Sequence, residues 1–157
     1  LPSTCSSAVK TSNVSLPTEP EDSSRRARRL WSLWEERSLI RHAPAYIVLE
    51  TCNAIRKAVR SGLISATRGN HAVDWLTSSS IRLTDIGVVE AREIWDRFVC
   101  DFEHLVTPYD AGYLYVAQLL DCEFWPADDR LVRTVGDDLS WVRSLSDLID
   151  DVPEEPQ

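Results

Sequence analysis

Residues 107–131, TPYDAGYLYVAQLLDCEFWPADDRL, set a helix opening, an apolar run, a short apolar strand and a second acidic turn in direct succession. Thr107 followed by Pro108 is an ordinary helix start, with Thr107 as N-cap and Pro108 at the first helical position, where its missing N–H costs nothing. Asp110 then falls at the third helical position, facing the positive end of the helix dipole and completing a capping-box pattern. The helix predicted over LVTPYDAGYLYVAQLLD closes at Asp121, CEFW reads as a strand and DRLVRTVG as a short helix. Helix, strand and helix in that order are the repeating unit of a parallel sheet.

The same alternation extends upstream. In YIVLETCNAIRKAVRSG, residues 46–62, Val48, Cys52, Ile55 and Val59 recur at i, i+4, i+7 and i+11, which is one helical face. Gly62 is placed as the residue that ends this helix, and Ala43-Pro44 marks the break that starts it. From Arg25, RRARRLWSLWEER predicts an amphipathic helix that gathers Leu30, Trp31, Leu33 and Trp34 and leaves arginines and glutamates to water. SLIRH reads as a short strand, residues 66–77 as a helix, IRLTDI as a strand, VVEAREIWDRFVCDF as a helix and WVRSL as a final strand. The expectation is an α/β fold, a mostly parallel sheet with helices on both faces, spanning residues 25–148. Residues 1–24 are polar, rich in Ser, Thr and Pro, and are expected as loop or tail; residues 149–157 are an acidic tail expected to fray.

A chain of 157 residues with 43% hydrophobic content has the size of one domain with a sizeable core. Acidic residues outnumber basic ones by 25 to 17, giving a formal charge of −8 that excludes a broadly cationic nucleic-acid coat. Any polyanion must therefore be handled locally. Cys5, Cys52, Cys100 and Cys122 are widely spread, with no CxxC pair and no histidine at zinc-site spacing, which suits a reduced, cytoplasmic protein. No apolar run approaches membrane-spanning length and the first residues lack the core of a secretory signal, so neither membrane nor export is expected. The chain contains no methionine, so its first residue is not read as a native start.

Three acids stand out from this frame. Asp110 is one, although its place in the helix opening is a sufficient structural role. Glu50 lies inside an apolar helix, where an ionised carboxylate needs a partner; pairing with Arg56 or solvent would supply it. Asp128 follows the strand CEFW at its carboxyl end, the edge where open α/β sheets hold ligands, and it also suits a turn or an N-cap for DRLVRTV. If the three converge, their repulsion requires a cation. A hard divalent ion bound by carboxylates can activate water and neutralise charge developing on a phosphorus centre.

The segments YIVLETCNAIRKAVRSG and TPYDAGYLYVAQLLDCEFWPADDRL resemble the PIN-domain ribonucleases, in particular the VapC-type toxins of toxin-antitoxin pairs, over roughly residues 25 to 146. The resemblance rests on Y-D-A-x-Y-L-x-x-A-Q followed by A-D-x-R-L, with L-E-x-x-N-A-I in support. It implies a PIN-like doubly wound sheet, Glu50, Asp110 and Asp128 as catalytic acids and metal ligands, bound Mg²⁺ or Mn²⁺, and RNA as the substrate hydrolysed. It also implies a cognate antitoxin protein as partner and a homodimer. The family opens with an apolar strand ending in an Asp; here LPSTCSSAVK stands in that place, with Cys5 near the expected Asp and no hydrophobic strand before it. Cysteine suits softer metals than Mg²⁺, so the alternative is a degenerate PIN-like binding module without turnover.

Other features have two readings each. Arg25, Arg26, Arg28 and Arg29, and less densely Arg56, Lys57 and Arg60, suit phosphate contacts or the solvated face of a helix. Trp31 and Trp34 suit core packing or a partner groove. Asn53 could bond a metal-bound water or be a surface amide. His42, His71 and His104 show no nucleophile partner.

Overall fold

The computed structural model describes residues 5–9 and 21–148, with side chains described from residue 25 onward. The elements in chain order are β1 (Cys5–Val9), α1 (Glu21–Glu36), β2 (Ile40–Pro44), α2 (Ile47–Arg60), α3 (Ala66–Ser78), β3 (Ile81–Thr84) and α4 (Val88–Ile94). A π-helical turn, Trp95–Cys100, continues α4, and α5 (Pro108–Leu119), β4 (Phe124–Trp125), α6 (Asp129–Val135) and a 3₁₀ turn, Leu145–Asp147, complete the chain. The fold is α/β, with a small parallel sheet in the order β3-β2-β1-β4.

Strand order carries the main correction to the reading from sequence. Cys5–Val9, expected as loop, is an interior strand, paired with β2 on one side and β4 on the other. CSSAV has neither an apolar run nor strong strand propensity, but a central position bonds both of its backbone edges, and propensity yields to that context. The chain steps outward from β1 to β2 to β3, then crosses back over β1 to place β4 on its far side. Such a reversal opens a crevice outside the carboxyl ends of the two strands that flank it, here β1 and β4.

Local signals read from sequence recur with small shifts. Thr107 caps α5, its hydroxyl accepting the Asp110 N–H, with Pro108 in the first turn. Ser65, not singled out in the sequence, also caps α3 through the Arg68 N–H. Gly62, at φ 77°, ends α2 in a left-handed conformation that favours glycine. There the Gly62 N–H bonds the Val59 carbonyl and the Leu63 N–H reaches the Ala58 carbonyl, a Schellman closure. Pro44 ends β2 instead of opening α2, which begins three residues later. The buried stripe of α2 is Ile47, Thr51, Ile55 and Ala58, one residue off the expected Val48, Cys52, Ile55 and Val59 face. WVRSL forms no extended strand; Val142 makes a single parallel bridge to Phe124.

Two apolar clusters form the core. One gathers Ile47, Phe98, Val106, Tyr113, Leu114 and Phe124 around α5. The other joins Leu30 and Trp34 of α1 to Leu145, with Trp31 and Trp125 packed against it. Successive residues of β4 split between them, as side chains alternate across a strand. Trp31 and Trp34 are thus packing residues; the Trp31 ring also meets Trp75 at a tilt, centroids 4.9 Å apart, and carries the Arg41 guanidinium at 4.3 Å. Among the described residues no helix is long and apolar enough to cross a membrane.

Candidate active site at the carboxyl edge of the sheet

In a parallel sheet each helix returns the chain from carboxyl edge to amino edge, so helices start where strands end. Glu50 lies in the first turn of α2, directly after β2. Asp110 lies in the first turn of α5, which feeds β4. Asp128 follows β4 itself. All three acids therefore share one edge.

Three tyrosines join two of them. The Tyr46 hydroxyl donates to the Tyr109 carbonyl at 2.6 Å, tying the β2–α2 turn to the start of α5. Its ring meets those of Tyr109 and Tyr113 edge-on, at 5.6 and 5.5 Å. The Tyr113 hydroxyl donates to Glu50 Oε2 at 2.6 Å. Tyr113 is one turn from Asp110 on the same face of α5, so this bond brings Glu50 to the face that carries Asp110. Gly112 makes the approach possible, since a Cβ there would collide with the Tyr46 hydroxyl.

Glu50 is half-buried, and its partner is Tyr113 across 63 residues, whereas Arg56 bonds the exposed Asn53 side chain on the helix surface. Asp110 is only 3% exposed, and its Oδ2 accepts the Thr107 hydroxyl at 2.7 Å. Thr107 thus both caps the helix and orients the carboxylate. Asp128 takes the capping role: its Oδ1 accepts the Arg130 and Leu131 N–H groups at 2.8 and 3.4 Å, and Arg130 Nη2 lies 3.9 Å from Oδ2.

The structure bonds Glu50 to Tyr113, one turn along α5 from Asp110, and leaves Asp128 bonded to its own helix. Among the described residues no group of three or more His, Cys, Asp or Glu side chains is arranged to hold a metal ion. Carboxylate oxygens are nevertheless the donors a hard divalent ion takes, and one or two suffice when waters and a substrate phosphate complete the shell. Glu50 and Asp110, both at this edge, supply the oxygen donors such an ion takes. Cys5, expected near a fourth ligand, stands at the amino end of β1, the opposite end from these acids, and Cys5–Val9 contains no acid. Tyr46 and Tyr113 escaped the sequence reading as site residues; the i, i+3 spacing of Asp110 and Tyr113 was their only trace.

Burial holds the Tyr113 phenol far above its ordinary range, with the hydrogen bond to Glu50 and the Glu50 charge adding to it. Burial and then the Glu50 charge raise Tyr46 as well. Both stay neutral, so Tyr113 remains a donor. In the unfolded chain both ionise near about pH 10, while the folded protein resists. The stability they contribute is full below that pH and is lost as pH climbs above it. Urea unfolding between about pH 9 and 11 is expected to show this fall, and Tyr113→Phe to flatten it. An unchanged profile in the variant counts against the buried pair.

The chain matches no model of a known protein family and no curated protein.

Proposed function

We propose that the chain is a metal-dependent endoribonuclease of the PIN type, with a doubly wound sheet, in which Glu50 and Asp110 hold Mg²⁺ or Mn²⁺ and Asp128 approaches from the β4 side. The observation that carries this reading is the Tyr113 bond that brings Glu50 to the Asp110 face of α5, at the carboxyl edge of the sheet. The strand reversal at β1 supports it, since ligands of open α/β sheets gather at such a point. The ion, when bound, supplies an activated water and neutralises charge on the phosphate. The chain's own residues hold the geometry: Thr107 orients Asp110, Tyr113 orients Glu50, and Tyr46 locks the two helix starts together. A cytoplasmic setting, which rests on the widely spread cysteines, belongs to the same reading, as do a cognate antitoxin and a homodimer, which rest on the family resemblance.

A PIN-like binding module without turnover is the second reading. It is favoured by the lack of any acid in β1 and by the cap role of Asp128. Mn²⁺ titration followed by thermal midpoint and by cleavage of a labelled single-stranded RNA separates the two. A ligand that binds only the folded state raises the midpoint. Wild type is expected to show both the rise and cleavage, with chelator abolishing cleavage. Tyr113→Phe is expected to weaken Mn²⁺ affinity by about 10–100-fold, the usual effect of losing a partner that orients a ligand. No midpoint rise and no cleavage at millimolar Mn²⁺ would leave the binding module.

A further inference from the structure

A pocket of about 340 Å³ lies between α1, α6 and the turn Leu145–Asp147. Arg26 of α1 and Arg133 of α6 line it together with Ser144, Ser146 and Asp129. Most arginines with a described side-chain contact have a carboxylate for it: Arg29 with Glu36, Arg41 with Glu35, Arg97 with Glu93, Arg143 with Glu123. Arg26 and Arg133, like Arg28, Arg37, Arg60, Arg68 and Arg82, make no side-chain ion pair or hydrogen bond with the described residues; what sets the two apart is that they line the same pocket. Two arginines without an ion pair among the described residues thus line one cavity, and Arg26 is the member of the Arg25–Arg29 cluster that lines it.

The rest of the lining narrows the ligand. Ser144 Oγ and Ser146 Oγ lie 2.6 Å apart, so one hydroxyl proton is spent between them and the other is left to donate. Asp129 offsets one of the two positive charges. One net charge, two planar forks and a hydroxyl donor suit a singly charged phosphodiester better than a doubly charged phosphate monoester. Asp129 is the residue after Asp128, at the start of α6 just beyond β4, so the pocket borders the edge that carries the acids.

We propose that this pocket binds a phosphodiester group of an RNA strand lying across the carboxyl edge; the choice of RNA rests on the ribonuclease reading. The test is fluorescence anisotropy of a short labelled single-stranded RNA in chelator, where nothing is cut, between about 50 and 200 mM salt. Arg26→Gln/Arg133→Gln is expected to bind at least about tenfold more weakly, equally across RNA sequences, with the salt slope reduced by about 1. Arg68→Gln, on α3 outside the pocket, is the control and is expected to match wild type. Arg26→Lys/Arg133→Lys retains the charge and is expected to restore the slope with part of the affinity. It carries the test if the glutamine pair unfolds at a lower temperature than wild type.

Wild-type affinity and slope in the double variant overturn the proposal, as does a wild type that binds no RNA. Inorganic phosphate supplies the second arm. If it raises the thermal midpoint of wild type alone, while RNA affinity ignores the double substitution, the pocket takes free phosphate and the strand is excluded. Cleavage is scored separately: RNA binding lost in the double variant of a chain that cuts no RNA upholds the pocket and removes the ribonuclease.

Discussion

Phe124→Ala is expected to lower the unfolding free energy by about 3–5 kcal/mol, the range for emptying a fully buried phenylalanine site. Phe124 is 0% exposed, at the centre of the larger apolar cluster. Its ring stacks on Tyr113 at 6.1 Å, and its backbone binds Trp141 and Arg143 while pairing with Ala8. β4 has only two residues, so little else can compensate. The surrounding backbone is held on both sides, which limits how far the cavity can collapse. A loss of that size is a large share of the roughly 5–15 kcal/mol of a typical domain. In urea the midpoint should fall with the slope of the transition unchanged. A loss below about 1 kcal/mol would mean that β4 does not anchor the cluster. The substitution also removes the floor beneath Tyr113, so metal affinity should fall with stability.

Asp110→Asn separates a helix starter from a metal ligand. The cap bond runs from the residue 110 N–H to Thr107 Oγ1, so it does not use the Asp110 side chain. Asparagine retains the shape and an oxygen for the Thr107 hydroxyl. The loss of an anion at the helix N-terminus costs about 0.3–1 kcal/mol. Stability should therefore change little. RNA cleavage should drop at least about a hundredfold, the upper end of what even supporting groups around a metal contribute, and the Mn²⁺-dependent midpoint rise should vanish. Equal cleavage by wild type and Asp110→Asn would return this carboxylate to the role of helix opener, despite a burial that helix starting does not require.

What was legible before any coordinates was short-range. Thr107 with Pro108, Gly62 and Asp128 end or begin helices through bonds to residues two to five positions away, and such bonds are written in the local order of side chains. The alternation of helix and strand followed from hydrophobic period, and with it the α/β class and the edge on which all three acids stand. The period of α2 was read one residue off, because Thr51 and Ala58 bury as readily as larger apolar residues once α2 packs.

The sequence by itself therefore determined most of the helices, several of their caps and the side of the sheet that carries Glu50, Asp110 and Asp128. Only the tertiary structure decided that CSSAV is an interior strand, since its pairing on both edges comes from β2 and β4, far along the chain. It alone decided that Glu50 answers to Tyr113 and not to Arg56, and that Arg26 and Arg133 line one cavity. Those contacts join residues 63 or more positions apart. No local pattern encodes them, because the packing of α1, α2, α5 and α6 around the sheet sets which distant side chains meet.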